Sequence, residues 1–389
     1  MSVGLQFKVV GSGACLARAL LGMLGALGVL GTSVSMTTVH AQSLAPSVSA
    51  ASLSRTLAQA PNSTASTASG ASTAQTTQTL RVVLLLPLDN AQLRRAASVV
   101  RDGVNAVFAT RKAEVNVVEC AYGMDAVVQA YGRCVTPDTA WVIGPLGRTD
   151  VMSLALAKLE SPKPTLMLSP LGTVPPQPMT LLSPDLESEA EAIAQQAADD
   201  ACRKPVLAEA SGAMSSRVSV AITVYWRERS VTPLPTVSVI GRDGARRAAD
   251  KWRSDGVDCV LFAGGGAALT ELRPFLRNMA VYVTSASFET ALDRTVDWTG
   301  IRIADSPWVI DAERAEFLPY APSAVLSPTL SRLYALGVDA ARLVVAAGRD
   351  PLPVAFDGAI GQLTLKDSQY RRQPIIGEFR ERALVKVGP

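Results

Sequence analysis

The sequence predicts an α/β protein of two lobes, each a doubly wound parallel sheet, with antiparallel strands at its C-terminal end. Three observations carry this. From residue 80 onward, short and nearly all-apolar runs alternate with stretches of helical period. That rhythm runs through 80–172 and starts again at 186. After residue 361 it gives way to apolar–polar alternation, the period of strands with one solvated face.

The elements follow in order. LRVVLLLPL (80–88) is continuous and β-branched, and a proline ends it, so it reads as a buried strand. In 91–112, Leu93, Ala97, Val100, Val104 and Phe108 recur on one helical side. VNVVEC (115–120) is a strand, 124–134 a short helix, and AWVIGPLG (140–147) a strand running into a glycine turn. A helix fits 149–160, with Thr149 or Asp150 as its cap. PTLMLSPLG (164–172) is a further strand and turn.

In the second half a helix fits 186–204, and strands fit 205–210, 235–241, 257–265 and 279–285, with helices near 215–229, 243–255 and 267–277 between them. Strands apolar on both sides need helices on both faces of a sheet, and the right-handed crossover makes each half doubly wound. A last helix with a long apolar stripe covers 331–350, and 361–387 reads as an antiparallel meander.

Ahead of this part, residues 1–41 read as a secretory signal. Lys8 and Arg18 precede or open the apolar run ALLGMLGALGVLG (19–31), and Val39-His40-Ala41 resembles a cleavage site. Cys15 precedes the apolar run and lacks the leucine-like neighbour of a lipobox. Residues 42–79 are mostly Ser, Ala, Thr and Gln, too poor in large apolar side chains to offset the entropy of ordering, and read as a disordered linker. Residues 80–389 remain as the folded part.

The only histidine, His40, falls in the signal. A mature chain without imidazole builds no Ser-His-Asp or Cys-His pair and lacks the commonest zinc ligand. No G-x-S-x-G and no S-x-x-K occurs. Gly264-Gly265-Gly266 follows a strand but continues into no G-K-[ST], and reads as a tight turn. No enzyme activity, cofactor or metal is expected. Of 37 Lys and Arg, two leave with the signal, so 35 face 34 Asp and Glu; that balance, without a basic cluster, argues against a nucleic-acid partner. Glu187, Glu189 and Glu191 read as a solvated face at a helix start.

Four cysteines lie in the folded part: Cys120, Cys134, Cys202 and Cys259. In an exported chain an even number points to two disulfides, with free thiols as the alternative. Three pairings are open; the local one, Cys120–Cys134 with Cys202–Cys259, keeps each bridge within one lobe.

A protein of this kind binds rather than reacts. Ligands of open parallel sheets lie beyond the carboxyl ends of the strands. That rim holds Asp89, Gly144, Ser169, Gly172, Thr173 and Ser285 as candidate cleft residues, with the Ser169–Thr173 turn offering hydroxyls and backbone N–H groups to a carboxylate. Trp226, Trp252, Trp298 and Trp308 are candidates for an exposed contact patch, with core packing as the alternative.

LRVVLLLPL with RDGVNA (101–106), WVIGPLGR (141–148) and PTLMLSPLG resemble the type I periplasmic-binding-protein fold. Three later stretches carry a narrower resemblance: DWTGIRIADSPWVI (297–310) around Asp305-Ser306-Pro307-Trp308, LYALGVDAARL (333–343), and FDGAIGQLTLKDSQYRR (356–372). Together they resemble the C-terminal domain of penicillin-binding protein activators of LpoA type, over nearly all of 80–389. The linker stands where full-length activators carry helical repeats, and Asp89-Asn90 stands where relatives often have small residues.

The resemblance implies lobes of about 80–178 with 282–350 and about 179–281 with 351–389, joined by several crossings. It also implies a non-catalytic periplasmic regulator that binds and activates a bifunctional penicillin-binding protein, a murein synthase. Membrane association and outer-membrane anchoring stay open. The alternative is a solute-binding receptor of an ABC importer, holding an amino acid or similar small ligand in the cleft.

Overall fold

The computed structural model describes residues 79–388 apart from 113, 230–231, 290–294 and 382. The expected signal and all but the last residue of the expected linker lie outside the described residues.

The chain begins with β1 (Leu80–Leu86), α1 (Arg94–Ala109), β2 (Val115–Ala121), α2 (Val127–Cys134), β3 (Trp141–Ile143), α3 (Arg148–Leu156), β4 (Thr165–Met167) and β5 (Met179–Leu181). It crosses at 182–185 and continues with α4 (Leu186–Asp199), β6 (Pro205–Glu209), α5 (Ala213–Arg229), β7 (Thr236–Ser238), α6 (Gly241–Asp255), β8 (Cys259–Ala263), α7 (Gly266–Leu272), β9 (Ala280–Thr284), β10 (Ile301–Asp305) and α8 (Pro307–Ile310). A second crossing, 311–327, leads to α9 (Pro328–Ala347), β11 (Ala355–Asp357), β12 (Gln362–Lys366) and β13 (Gln369–Gln373). The third crossing is Pro374, followed by β14 (Ile375–Arg380) and β15 (Ala383–Lys386).

Two mixed, mostly parallel sheets result. The first has the order β11-β12-β13-β5-β4-β3-β1-β2 and the second β15-β14-β10-β9-β8-β6-β7. In each, the parallel strands are continuous and an antiparallel piece is added at one edge. The all-apolar runs explain the layering. Along β1, Val82, Leu84 and Leu86 enter one core while Val83 and Leu85 enter the core on the other face. Along β8, Val260 and Phe262 face one core and Cys259, Leu261 and Ala263 the other. A strand of period two with no polar side must be covered twice.

In the first lobe, α1 and α9 pack backbone to backbone. A Cβ on Gly103 would run into the Tyr334 carbonyl, and one on Gly337 into the Val100 carbonyl. This is the physical content of the RDGVNA and ALGVDA motifs: each glycine is the gap into which the other helix fits. Disulfides join Cys120 to Cys134 and Cys202 to Cys259, each within one lobe.

The lobes divide at other places than the expected 178, 281 and 350. β9 and β10 extend the second sheet by parallel pairing with β8, so 280–305 belongs to the second lobe. β11 to β13 join the first sheet beside β5, so 355–373 belongs to the first. The meander is thus cut in two at Pro374. Each sheet leaves one edge to fill, at β5 and at β10, and short amphipathic strands suit either. Helix α3 also differs: Gly147 stands at its cap position with no side-chain bond, and Asp150 is buried, accepting from the Tyr122 hydroxyl at 3.1 Å. Gly264–Gly266 is a strand-to-helix turn. No helix of the described residues is long and apolar enough to cross a membrane.

Candidate functional site

The three crossings bring charged side chains of opposite lobes together out of water. Glu189, in the first turns of α4, meets Arg372 of β13, with Nη2 to Oε1 at 2.5 Å. The same guanidinium donates to the Asp185 carbonyl at 2.7 Å and the Ile360 carbonyl at 3.2 Å. The second Glu189 oxygen accepts the Ser285 N–H at 2.8 Å. Side-chain exposure is 1% for Arg372 and 2% for Glu189. Burial pushes the Glu189 carboxyl above its ordinary range, and Arg372 pulls against it.

A second pair lies beside the first. Asp305, at the end of β10, is fully buried and takes a forked bond from Arg332 of α9: Nε to Oδ1 at 2.9 Å and Nη2 to Oδ2 at 2.5 Å. Arg332 also donates to the Phe288 carbonyl at 2.9 Å, and Asp305 accepts the Ser306 N–H at 2.6 Å. A bidentate, charge-assisted pair of this kind holds direction as well as distance. The Asp305-Ser306-Pro307-Trp308 motif finishes the joint. Trp308 crosses into the first lobe's core, with ring centroids 5.2 Å from Phe317 and 5.6 Å from Tyr334.

The third buried acid, Asp339 of α9, accepts the N–H groups of Ala359 and Ile360, both at 2.8 Å, and pairs with Arg342 at 3.2 Å. It anchors the turn between β11 and β12. Burial outweighs those partners and pushes its carboxyl up to about 6.

A cleft of about 530 Å3 opens beside the crossings. Arg148 and the turn around Pro170–Val174 line it from the first lobe, Glu187 and Glu191 from α4, and Lys366 and Arg371 from the β12–β13 hairpin. Arg148, Lys366 and Arg371 have no ion-pair partner among the described residues. Glu187 is engaged by Arg217 at 2.5 Å. Asp367 of the β12–β13 hairpin lines the cleft too, so it is a mixed-charge surface in which three cations and one acid of the first lobe make no ion pair among the described residues, able to meet a carboxylate through the cations.

Of the rim residues named from sequence, Gly172 and Thr173 line this cleft; Asp89, Gly144, Ser169 and Ser285 do not. Asp89 is exposed in the turn after β1, its N–H bonded to the Tyr122 carbonyl at 3.2 Å. Gly144 has φ 109° and lies so close to β1 that a Cβ would strike the Leu85 carbonyl, so packing explains it. The Ser169 hydroxyl donates to the Leu146 carbonyl. Ser285 is buried and supplies its N–H to Glu189. The four tryptophans considered for a contact patch, Trp226, Trp252, Trp298 and Trp308, are all buried.

Sequence reading missed the crossing pairs. Glu189 is not part of a solvated face: helical spacing turns it inward while Glu187 and Glu191 stay on the cleft side. The signals were present in the motif carrying Asp305 and in the Arg371-Arg372 dipeptide, but neither names its partner. Among the described residues no group of His, Cys, Asp or Glu is placed to hold a metal.

A family model described as "LppC putative lipoprotein" matches residues 40–238, just over half of the chain. No curated protein matches. Solved structures do. One is a putative branched-chain amino acid ABC transporter from Chromobacterium violaceum ATCC 12472, 29% identical, covering 77% of this chain and 100% of that one with a TM-score of 0.68. Another is the LpoA (YraM) C-domain from Haemophilus influenzae, a regulator of PBP1A, 20% identical, covering 79% and 100% with a TM-score of 0.64. Full-length LpoA from the same organism is 21% identical with a TM-score of 0.63; the match covers 80% of this chain and 60% of that one. The fold is that of periplasmic-binding-protein-like structures.

Proposed function

The chain belongs to the LppC family, and on that premise we propose that it is a non-catalytic regulator of the cell envelope that binds a bifunctional peptidoglycan synthase and favours its active state. The observation that carries this reading is the pair of buried ion pairs at the crossings, Glu189–Arg372 and Asp305–Arg332. A receptor that traps its ligand by hinge closure works through relative motion of its lobes. Here each pair joins elements of opposite lobes, and moving one partner away leaves a buried charge uncompensated. A body held in one shape suits recognition by another protein, which needs a fixed surface rather than a closing trap. The engaged Ser169 hydroxyl and the packed Gly144 support the same reading, since neither is free for a ligand. So does the likeness to a structure described as a regulator of PBP1A.

The second reading, a receptor for an amino acid or similar solute, is favoured by the unpaired cations and the Gly172–Thr173 turn in the cleft, and by the likeness to a branched-chain amino acid transporter component.

One experiment separates them. The purified chain is mixed with the periplasmic part of a bifunctional synthase, and glycan polymerisation and crosslinking are followed; in parallel, unfolding is measured with free amino acids. The regulator reading expects a complex and faster synthesis, with no stabilisation by amino acids. A receptor at hundredfold excess over its Kd gains about 2.7 kcal/mol. That gain, with an indifferent synthase, retires the regulator.

A further inference from the structure

Helix α5 carries two apolar stripes, and only one is used by the fold. Val218, Ile222 and Trp226 enter the second lobe's core beside Ala190, Ile193 and Ala194 of α4. On the outer side, Ala213, Val220 and Val224 lie at helical spacing and, with Ala221 at the edge of the core, floor a hollow of about 670 Å3 between α4 and α5. Val220 is 62% exposed and Val224 48%. A surface helix ordinarily places polar residues there. The stripe from 213 to 224 runs about 16 Å, three turns of a helix.

The charges around the hollow are unequal. Glu187 is paired with Arg217, and Glu228 with Arg229. Glu191 has no ion pair among the described residues, and Asp185 and Glu228 lie near it, with Arg229 and Arg371 as the nearby cations. An aliphatic floor lined by three glutamates and two arginines, with Glu191 in no direct ion pair among the described residues, complements an amphipathic helix bearing aliphatic side chains and a cation.

We propose that the outer face of α5 is a docking surface for such a helix of the partner protein, its aliphatic stripe lying in the hollow and a lysine or arginine reaching Glu191. This rests on the regulator reading insofar as the helix belongs to the synthase.

The test uses the full chain and two labelled synthetic helices about five turns long, one patterned from leucine and lysine, the other from leucine and glutamate. Fluorescence anisotropy is expected to show binding of the leucine–lysine helix only. The double variant Val220→Glu/Val224→Glu, at positions already in solvent, weakens it about tenfold or more. Glu191→Lys weakens the leucine–lysine helix and strengthens the leucine–glutamate one. The same variants weaken binding of the synthase's periplasmic part. Binding of helix and synthase that ignores these substitutions overturns the docking surface while leaving the regulator reading intact. Capture of the leucine–lysine helix through this face by a chain that does not bind the synthase supports the surface and sinks the regulator reading. A dimer in sedimentation equilibrium that Val220→Glu/Val224→Glu converts to monomer overturns the proposal by giving the face to a second copy.

Discussion

Arg371 and Arg372 are neighbours in β13, yet they work in different surroundings. Arg371 points to the cleft, exposed and without an ion-pair partner among the described residues; Arg372 points to the crossings, buried against Glu189. The same contrast separates Glu187 and Glu191 from Glu189 on α4. The alternation of a strand and the turn of a helix thus sort one charged cluster into two sets. The buried set fixes how the lobes meet. The exposed set, in which Glu187 is held by Arg217 while Arg371 and Glu191 make no ion pair among the described residues, faces the cleft, and its loss should matter for binding and hardly for folding.

The largest effect that sharpens this contrast is Arg372→Leu. It leaves Glu189 buried without its cation and is expected to cost about 3–5 kcal/mol in urea unfolding. Arg371→Leu is expected to change the same measurement by less than about 0.5 kcal/mol. Equal losses from both would erase the distinction.

Asp339 offers a test by pH. Its carboxyl stands at about 6 in the fold against 3.8 in the unfolded chain, so the fold binds this proton more tightly. Stability from this group is therefore present at about pH 4 and lost as pH rises through about 6. The difference amounts to about 3 kcal/mol. Asp339→Asn removes that component. Urea midpoints followed from acid to neutral pH should show a wild-type chain that falls relative to the variant; parallel curves would mean that Asp339 keeps its charge throughout.

A smaller effect probes how the Glu189–Arg372 pair is built. In the Arg372→Leu background, Glu189→Gln removes the stranded charge while the amide oxygen still accepts from Ser285. Recovery of about 1–2 kcal/mol in a double-mutant cycle is expected. No recovery would mean that Arg372 acts through packing and its carbonyl bonds alone.

The smallest effect on stability belongs to the cleft. Changing Arg148, Lys366 and Arg371 together to Ala is expected to shift unfolding by less than about 1 kcal/mol. Binding of a carboxylate ligand or of an acidic partner segment should fall in calorimetry. A large loss of stability would place these cations with the buried set.

Much of the fold was legible in the sequence. Runs such as 80–88 and 257–265 have no polar side, so they had to become strands covered twice, and Gly103 and Gly337 lie in motifs that resemblance singled out before packing explained them. The candidate site was less so. Gly144 and Ser169 were rightly placed at strand ends, but position alone does not reveal that one is packed against Leu85 and the other bonded to Leu146.

The layers follow from the chain's pattern alone, because periodicity and apolar content fix locally which residues leave water. Which sheet takes each half of the meander, and which acid meets which arginine, is settled only when the lobes pack. Those choices depend on groups 27 and 183 positions apart, Asp305 with Arg332 and Glu189 with Arg372. A carboxylate carries no local mark of the cation that will share its burial; desolvation selects the pair only when the crossings bring both into the same dry space.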